Sequence, residues 1–187
     1  MIANASPLPL IDEIQALLSA AAKGRSAPDV KDIVSLVVFT CLGPGELREL
    51  RWGQVDLTNR WMLVESKGYV RQVPFGNTVL RILEARKERQ PDSEFVLGSS
   101  PKGLLHRVSH QLRTLSKGIC KSSVNLRSLR CTFMSRWVNS GGNIHSLCYI
   151  AGYRATYSSM RMLLARERLY RVGAEHQRRL EEEAKDL

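Results

Sequence analysis

Acidic residues are missing from a long part of this sequence. No Asp or Glu occurs between Glu94 and Glu167. The basic residues in that span are Lys102, Arg107, Arg113, Lys117, Lys121, Arg127, Arg130, Arg136, Arg154, Arg161 and Arg166. A solvent-exposed surface normally carries both positive and negative residues. A long segment with only positive residues in a foldable sequence therefore indicates a surface that binds a polyanion. The absence of Asp and Glu from this segment favours nucleic acid as the partner.

Cysteine is scarce and scattered. The four cysteines, Cys41, Cys120, Cys131 and Cys148, form no CxxC pair, which excludes a common zinc-site pattern and a disulfide framework. We expect buried free thiols instead. His106 and His110 stand four residues apart, but no acidic or thiol ligand lies near them in sequence, so no metal site is expected.

The sequence also lacks a run of about 18 apolar residues and the charged-then-apolar start of a secretory signal. We therefore expect no membrane contact and a cytoplasmic location.

The 28 basic and 18 acidic residues give a formal charge of +10. A 43% apolar content is enough for the core of one domain of 187 residues.

Apolar residues at helical spacing predict helices along most of the chain. The predicted helices run over Pro9–Lys23, from Asp29 through Val38, from Pro44, over Thr78–Arg89, over Gly103–Lys117, from Arg127 to Ser140, over Ile144–Ile150, and in one or two pieces from Arg154 to Leu180. Asp29, Asn125 and Asn143 are predicted N-caps, because their side chains can accept from the first free amides.

Two short strands interrupt this helical pattern. Over Arg60–Glu65, Trp61 and Leu63 alternate with Met62 and Val64. Between Tyr69 and Phe75, Val70, Val73 and Phe75 alternate with polar partners. Ser66, Lys67 and Gly68 join the two stretches, so a β-hairpin is predicted. Phe95–Leu97 is predicted as a short strand or extended turn.

Three motifs then resemble one family. Leu126 to Phe133, LRSLRCTF, is similar to the HxLRHTFA box of the tyrosine recombinases, or phage integrases. Thr40 to Trp52, TCLGPGELRELRW, resembles that family's TGLRPGELLxLRW box, and Ala151-Gly152-Tyr153 falls where the family has LGH. The hairpin, with Lys67 at its turn and Arg71 to Phe75 matching R-x-V-P-L, fits the same family.

The resemblance implies the fold of the tyrosine recombinase catalytic domain, mainly α with a small antiparallel β-hairpin sheet. It implies that residues 1–187 are one such domain, that the family's N-terminal core-binding domain is absent, and that residues from about 164 to 187 are a C-terminal helical tail. It also implies double-stranded DNA as partner and no metal or nucleotide cofactor.

Residue by residue, the resemblance gives four positions a role in DNA cleavage chemistry. Arg130 matches the family's second arginine, and Lys67 matches the hairpin lysine. Arg127 stands at the first position of HxxR, where it can donate to a phosphate but cannot act as a base near neutral pH. Tyr153 stands where LGH has its histidine, and its phenol can donate a hydrogen bond.

Two departures remove essential groups. Gly43 occupies the position of the family's first catalytic arginine. The nucleophilic tyrosine is expected nine residues after Tyr153, and Met162 stands there. A thioether cannot form the phosphotyrosyl link, so we expect a DNA-binding, integrase-like protein of DNA integration or recombination that does not cleave DNA.

Two other functions stay open at this point. An active recombinase could use a relocated tyrosine, Tyr157 or Tyr170. A protein-interaction module could act through the C-terminal tail, which family members pass to a neighbouring subunit, giving a homo-oligomer or a complex with a partner recombinase. The residues expected to contact DNA outside the cleavage site are Arg107, Arg113, Lys117, Lys121, Arg154 and Arg161.

Overall fold

The fold is helical with one small sheet, as predicted. The computed structural model describes residues 9, 11–22, 27–66, 68–121, 123–152 and 175–182. The elements are α1 Ile11–Ala21, α2 Ala27–Thr40, α3 Pro44–Glu49, β1 Val55–Asp56, β2 Trp61–Ser66, β3 Tyr69–Pro74, α4 Asn77–Arg89, α5 Pro101–Ile119, α6 Leu126–Asn139 and α7 Ile144–Ile150. Residues 175–182 are also helical and are called the C-terminal helix below.

Helix α2 is the centre of the core. Every residue from Asp32 to Thr40 is buried, and a helix buried on all sides needs neighbours all round. Helices α1, α4, α5 and α6 supply them. Neither α2 nor any other helix in the described ranges combines the length and apolar character needed to cross a membrane.

Asp29 does not cap α2, so that prediction is wrong. The helix begins earlier, at Ala27, and Asp29 lies in its first turn. Its carboxylate accepts from Arg86 of α4 at 3.2 Å, and Asp32 accepts from the same guanidinium at 2.9 Å. The two aspartates therefore tie α4 to α2, because a contact across the fold outweighs a local cap.

Helices α6 and α7 begin where their asparagines predict. Asn125 Oδ1 accepts from the amides of Arg127 and Ser128 at 2.9 and 3.0 Å. Asn143 makes the same pair of bonds to the first turn of α7. These caps satisfy amides that have no partner within the helix, and the Asn125 cap fixes the start of α6, one turn before Arg130.

The predicted hairpin is present, but its inward face differs from the prediction. Val64 pairs with Arg71 and Met62 pairs with Val73, and these four side chains are buried. Val70 is exposed. An arginine therefore takes the inward position in β3 that an apolar residue would normally hold. The short strand β1, which pairs with β2, was not predicted because two residues carry no measurable periodicity.

Candidate nucleic-acid interface

Arg130 is held between the ends of two helices. It lies on the second turn of α6 with its side chain half-buried. Its Nη2 donates to the carbonyl oxygen of Ala151, which directly follows α7. On the other side lies Gly43, the residue before α3, where an added Cβ would stand 2.9 Å from Arg130 Nη1. The guanidinium is thus positioned at the start of α3 and not withdrawn into the core.

The missing side chain at Gly43 makes room for this position of Arg130. A Cβ at Gly43 would also lie 3.4 Å from Glu46 Oε2. The Gly43 amide donates to that same Oε2 at 2.7 Å, which closes the first turn of α3. An arginine at position 43 would therefore require the end of the Arg130 side chain to shift.

A second arginine binds the same end of α7. Arg71 Nε donates to the carbonyl oxygen of Ile150 at 2.7 Å, and Arg71 Nη1 lies 2.8 Å from Glu46 Oε1. The exposed fraction of the Arg71 side chain is 0% and that of Glu46 is 9%. Arg71, Glu46 and Arg130, called the arginine cluster below, thus connect β3, α3 and α6 to the end of α7.

Sequence reasoning missed the part played by Arg71 and Glu46. Both residues were placed in family motifs, but no contact between them was predicted. The available signal was an arginine at an inward position of an apolar strand, which requires a buried partner. The partner itself lies 25 residues earlier in the chain and could not be identified from spacing.

The Arg71–Glu46 ion pair gives a stability prediction. Glu46→Ala would leave the Arg71 guanidinium buried without its counter-ion, and breaking a buried pair in this way costs about 3–5 kcal/mol. The matched control is Glu49→Ala on the same helix, because the Glu49 side chain is 61% exposed and pairs with Arg48 on the surface. Its expected cost is below about 1 kcal/mol. Urea unfolding measures both, and equal costs would contradict the structural role of Glu46.

Cys41 lies beside Arg130 but is not a replacement nucleophile. Its φ of +60° is in the left-handed region, and its side chain is fully buried. Burial raises the pKa of the Cys41 thiol to about 11, against the opposing effect of the Arg130 guanidinium. Only a thiolate attacks, so this thiol stays unreactive near neutral pH. The other three cysteines are partly exposed, which corrects the expectation that all four are buried.

Arg127 is the exposed neighbour of Arg130. It lies in the first turn of α6, three residues before Arg130, and residues at that spacing share a helix face. Its side chain is exposed and forms no ion pair with any residue that the structure describes. Arg127 and Arg130 therefore present two guanidinium groups on one side of the start of α6.

Several predicted residues lie outside the described ranges. They are Lys67, Tyr153, Arg154, Arg161, the proposed nucleophile position Met162, and the alternatives Tyr157 and Tyr170. The residues on either side of Lys67 and the residue before Tyr153 are described. Gly68 has a φ of +73°, as a tight hairpin turn requires. Gly152 has a φ of +66° and lies so close to Arg71 that an added Cβ would stand 2.8 Å from Nη1.

Helix α5 carries a separate basic face. Lys102, Arg107, Arg113 and Lys117 are exposed, and no ion pair holds any of them within the part of the chain that is described. At 100° per residue, Lys102, Arg113 and Lys117 fall within an arc of about 60°, with Arg107 to one side. Lys121, just after the helix, is exposed, while its amide donates to Glu13 Oε1 at 3.1 Å.

Comparison with known proteins agrees with this architecture. The profile of the phage integrase family matches residues 10–161. The solved structures that resemble the chain include the XerA recombinase, with 22% identity and a TM-score of 0.66 over 89% of this chain and 66% of that chain. The integrase of transposon Tn1549 in complex with circular intermediate DNA has 17% identity and a TM-score of 0.67, covering 90% of this chain and 68% of that one.

A third similar structure is the integrase from mycobacterium phage Brujita. It has 16% identity and a TM-score of 0.71, covering 96% of this chain and 60% of that chain. At these identities the likeness establishes a shared fold, and this chain corresponds to about two thirds of each solved protein. No curated protein sequence matches the chain at a significant level.

Proposed function

Because the chain belongs to the phage integrase family, we propose that it is a DNA-binding protein of DNA integration or recombination that no longer cleaves DNA. In this proposal residues 1–187 act as one domain of the catalytic type, and double-stranded DNA in the cytoplasm is the partner. The proposal joins the family relationship to two particular features of the chain, the arginine cluster and the substituted positions 43 and 162.

The position of Arg130 is the observation that carries the proposal. Its guanidinium is half-buried, is fixed by the Ala151 carbonyl oxygen, and lies at the start of α3 beside Gly43. A fixed guanidinium of this kind suits a phosphate, which it can bind through two parallel N–H groups. Arg127 on the same face supplies a second charge, and we assign to it the phosphate contact that Gly43 cannot make.

The loss of cleavage rests on the absent nucleophile. Met162 has no hydroxyl group, and a thioether cannot attack phosphorus to give a stable phosphodiester link. Gly43 removes one of two charges that would stabilise the transition state. Lys67 and Tyr153 keep, in this proposal, the roles of a phosphate-proximal cation and a hydrogen-bond donor.

The basic face of α5 extends the proposed contact surface. Arg107, Arg113, Lys117 and Lys121 are assigned to the DNA backbone together with Arg154 and Arg161. Among the described members, exposure and the absence of an internal ion pair support this assignment. A lysine or arginine that is not neutralised by the protein itself can release counterions from DNA when it binds.

Salt dependence tests this surface directly. Replacing Arg113 and Lys117 together by glutamine is expected to reduce the slope of log affinity against log salt by about 2, because each lost phosphate contact removes about 0.9. Lys87→Gln is the matched control, since Lys87 is exposed on α4, where its ammonium lies over the Trp52 ring. The control should keep the full slope. A double variant with an unchanged slope would exclude α5 from the interface.

A further inference from the structure

Two histidines lie on the solvent side of α5. His106 and His110 are both exposed, and they line one surface groove together with Arg107, Gln111 and Thr114. Residues four apart on a helix share one face, with their Cβ atoms about 5–6 Å from each other. The two imidazoles are therefore neighbours on the surface of the helix.

Both histidines lie within the basic face of α5. At about 100° per residue, His106 falls between Arg113 and Lys117, about 20° from each. His110 falls about 20° beyond Lys117, on the side towards Arg107. Helix α5 contains no Asp or Glu. A positive charge on either imidazole would therefore make the basic face continuous from Arg113 to Arg107.

Neither imidazole has a partner among the residues that the structure describes. Helix α5 packs chiefly on α1, α2 and α3. The charged residues on those three helices are Asp12, Glu13, Asp29, Lys31, Asp32, Glu46, Arg48 and Glu49. The carboxylates of α2 and α3 pair with arginines, and Glu13 accepts from the Lys121 amide at 3.1 Å. Both imidazoles are therefore available to a partner outside the chain.

The surroundings of the two histidines favour an anion over a metal ion. A metal site normally needs further ligands, and the described residues contain no group of three or more His, Cys, Asp or Glu that could hold a metal. The cations of the basic face would also repel a metal ion. A protonated imidazole instead donates from both ring nitrogens, which suits phosphate oxygens.

Building on the proposed DNA-binding function, we propose that His106 and His110 bind phosphates of duplex DNA as imidazolium groups, so that DNA binding through α5 takes up protons. Histidine changes its charge between about pH 5 and about pH 8, and a phosphate beside the ring favours the charged form. These added contacts are therefore complete at acidic pH and are lost as the pH rises towards about 8. The lysines and arginines of the basic face keep their charge throughout this range.

The salt dependence of DNA binding at two pH values tests this proposal on the whole chain. The slope of log affinity against log salt is expected to be steeper by about 1 to 2 at about pH 5.5 than at about pH 8, because each neutralised phosphate contributes about 0.9. His106→Gln combined with His110→Gln keeps polar side chains that cannot gain a proton. This variant should show the pH 8 slope of the unmodified chain at both pH values.

The other two histidines of the chain lie on different elements. His145 is exposed at the start of α7, and the ring of His176, in the C-terminal helix, packs on Trp137. His145→Gln is the matched control for an exposed histidine away from α5, and it should keep the pH dependence of the unmodified chain. His106→Lys combined with His110→Lys carries two permanent charges, so the steeper slope is expected at both pH values.

The outcomes separate this proposal from the proposed function on which it rests. Salt-sensitive binding at pH 8 with the same slope at pH 5.5 would overturn the role of the histidines and leave DNA binding intact. A pH-dependent slope that persists in the double glutamine variant would also overturn it, because other groups would then take up the protons. Absence of binding at both pH values would contradict the DNA-binding function itself and this proposal with it.

Discussion

Replacing Arg130 by alanine is expected to weaken binding of duplex DNA by about 10- to 100-fold, because a hydrogen bond to a charged group contributes roughly 1.5–3 kcal/mol. The guanidinium is already fixed by the Ala151 carbonyl oxygen beside Gly43, so little conformational freedom is lost when it binds a phosphate. A fluorescence-anisotropy titration of a labelled duplex at constant salt measures the change.

Two controls separate binding from folding in this experiment. Arg130→Lys keeps the charge but loses the two parallel N–H donors, so an intermediate affinity is expected. The melting temperature of each variant must be compared, because Arg130 also binds the end of α7. An Arg130→Ala variant that is folded and binds DNA as tightly as the original chain would show that this arginine does not contact phosphate.

Restoring the two substituted positions is expected to restore covalent chemistry. Gly43→Arg combined with Met162→Tyr should give a protein–DNA adduct on a nicked suicide duplex, where the unmodified chain gives none. The tyrosine supplies the missing attacking hydroxyl, and the arginine supplies the second cation for the transition state. An added Cβ at position 43 would lie 2.9 Å from Arg130 Nη1 and 3.4 Å from Glu46 Oε2. Both atoms end long side chains, so these two side chains must shift to admit the new arginine.

The matched control for this gain of function is Gly43→Arg combined with Met162→Phe. The phenylalanine ring has nearly the same shape as tyrosine but no hydroxyl, so no adduct is expected. Met162→Tyr alone should react about 10²- to 10³-fold more slowly than the double variant, since one stabilising group is absent. An adduct formed by the unmodified chain and lost in Tyr157→Phe or Tyr170→Phe would show that a relocated tyrosine is active.

Local chemistry made the helix starts near Arg130 predictable. Asn125 and Asn143 accept from amides two and three residues later, so the whole interaction is contained in four residues of sequence. The hairpin was predictable for the same reason, because its turn and its alternation are both short-range. Arg130 could be placed on its helix from sequence, since its position depends mainly on that cap.

The contacts that give Arg130 its surroundings could not be predicted. The Arg71 side chain can be buried on β3 because it pairs with the Glu46 carboxylate and donates to the Ile150 carbonyl oxygen. These two groups are 25 and 79 residues away in the sequence. Asp29, which was predicted to cap α2, instead forms an ion pair with Arg86, 57 residues later in the sequence. Side-chain periodicity contains no information on such pairings, because each depends on where the whole fold brings two distant segments together.

The arrangement explains how a chain of this family could keep DNA binding after losing cleavage. Phosphate binding needs cations on an accessible surface, and in the proposed function Arg130, Arg127 and the basic face of α5 supply them without the nucleophile. The buried Arg71–Glu46 pair links β3 to α3 beside Arg130. In the proposed function the nucleophile position is separate from the residues that bind DNA, so cleavage can be lost while binding is kept.

One sample tests the central claim most directly. The unmodified chain is mixed with a nicked suicide duplex at low salt, and the same mixture is run on a native gel and on a denaturing gel. We predict a retarded band on the native gel that disappears as salt is raised, together with free DNA only on the denaturing gel. Absence of the retarded band, or a covalent adduct on the denaturing gel, would contradict the account.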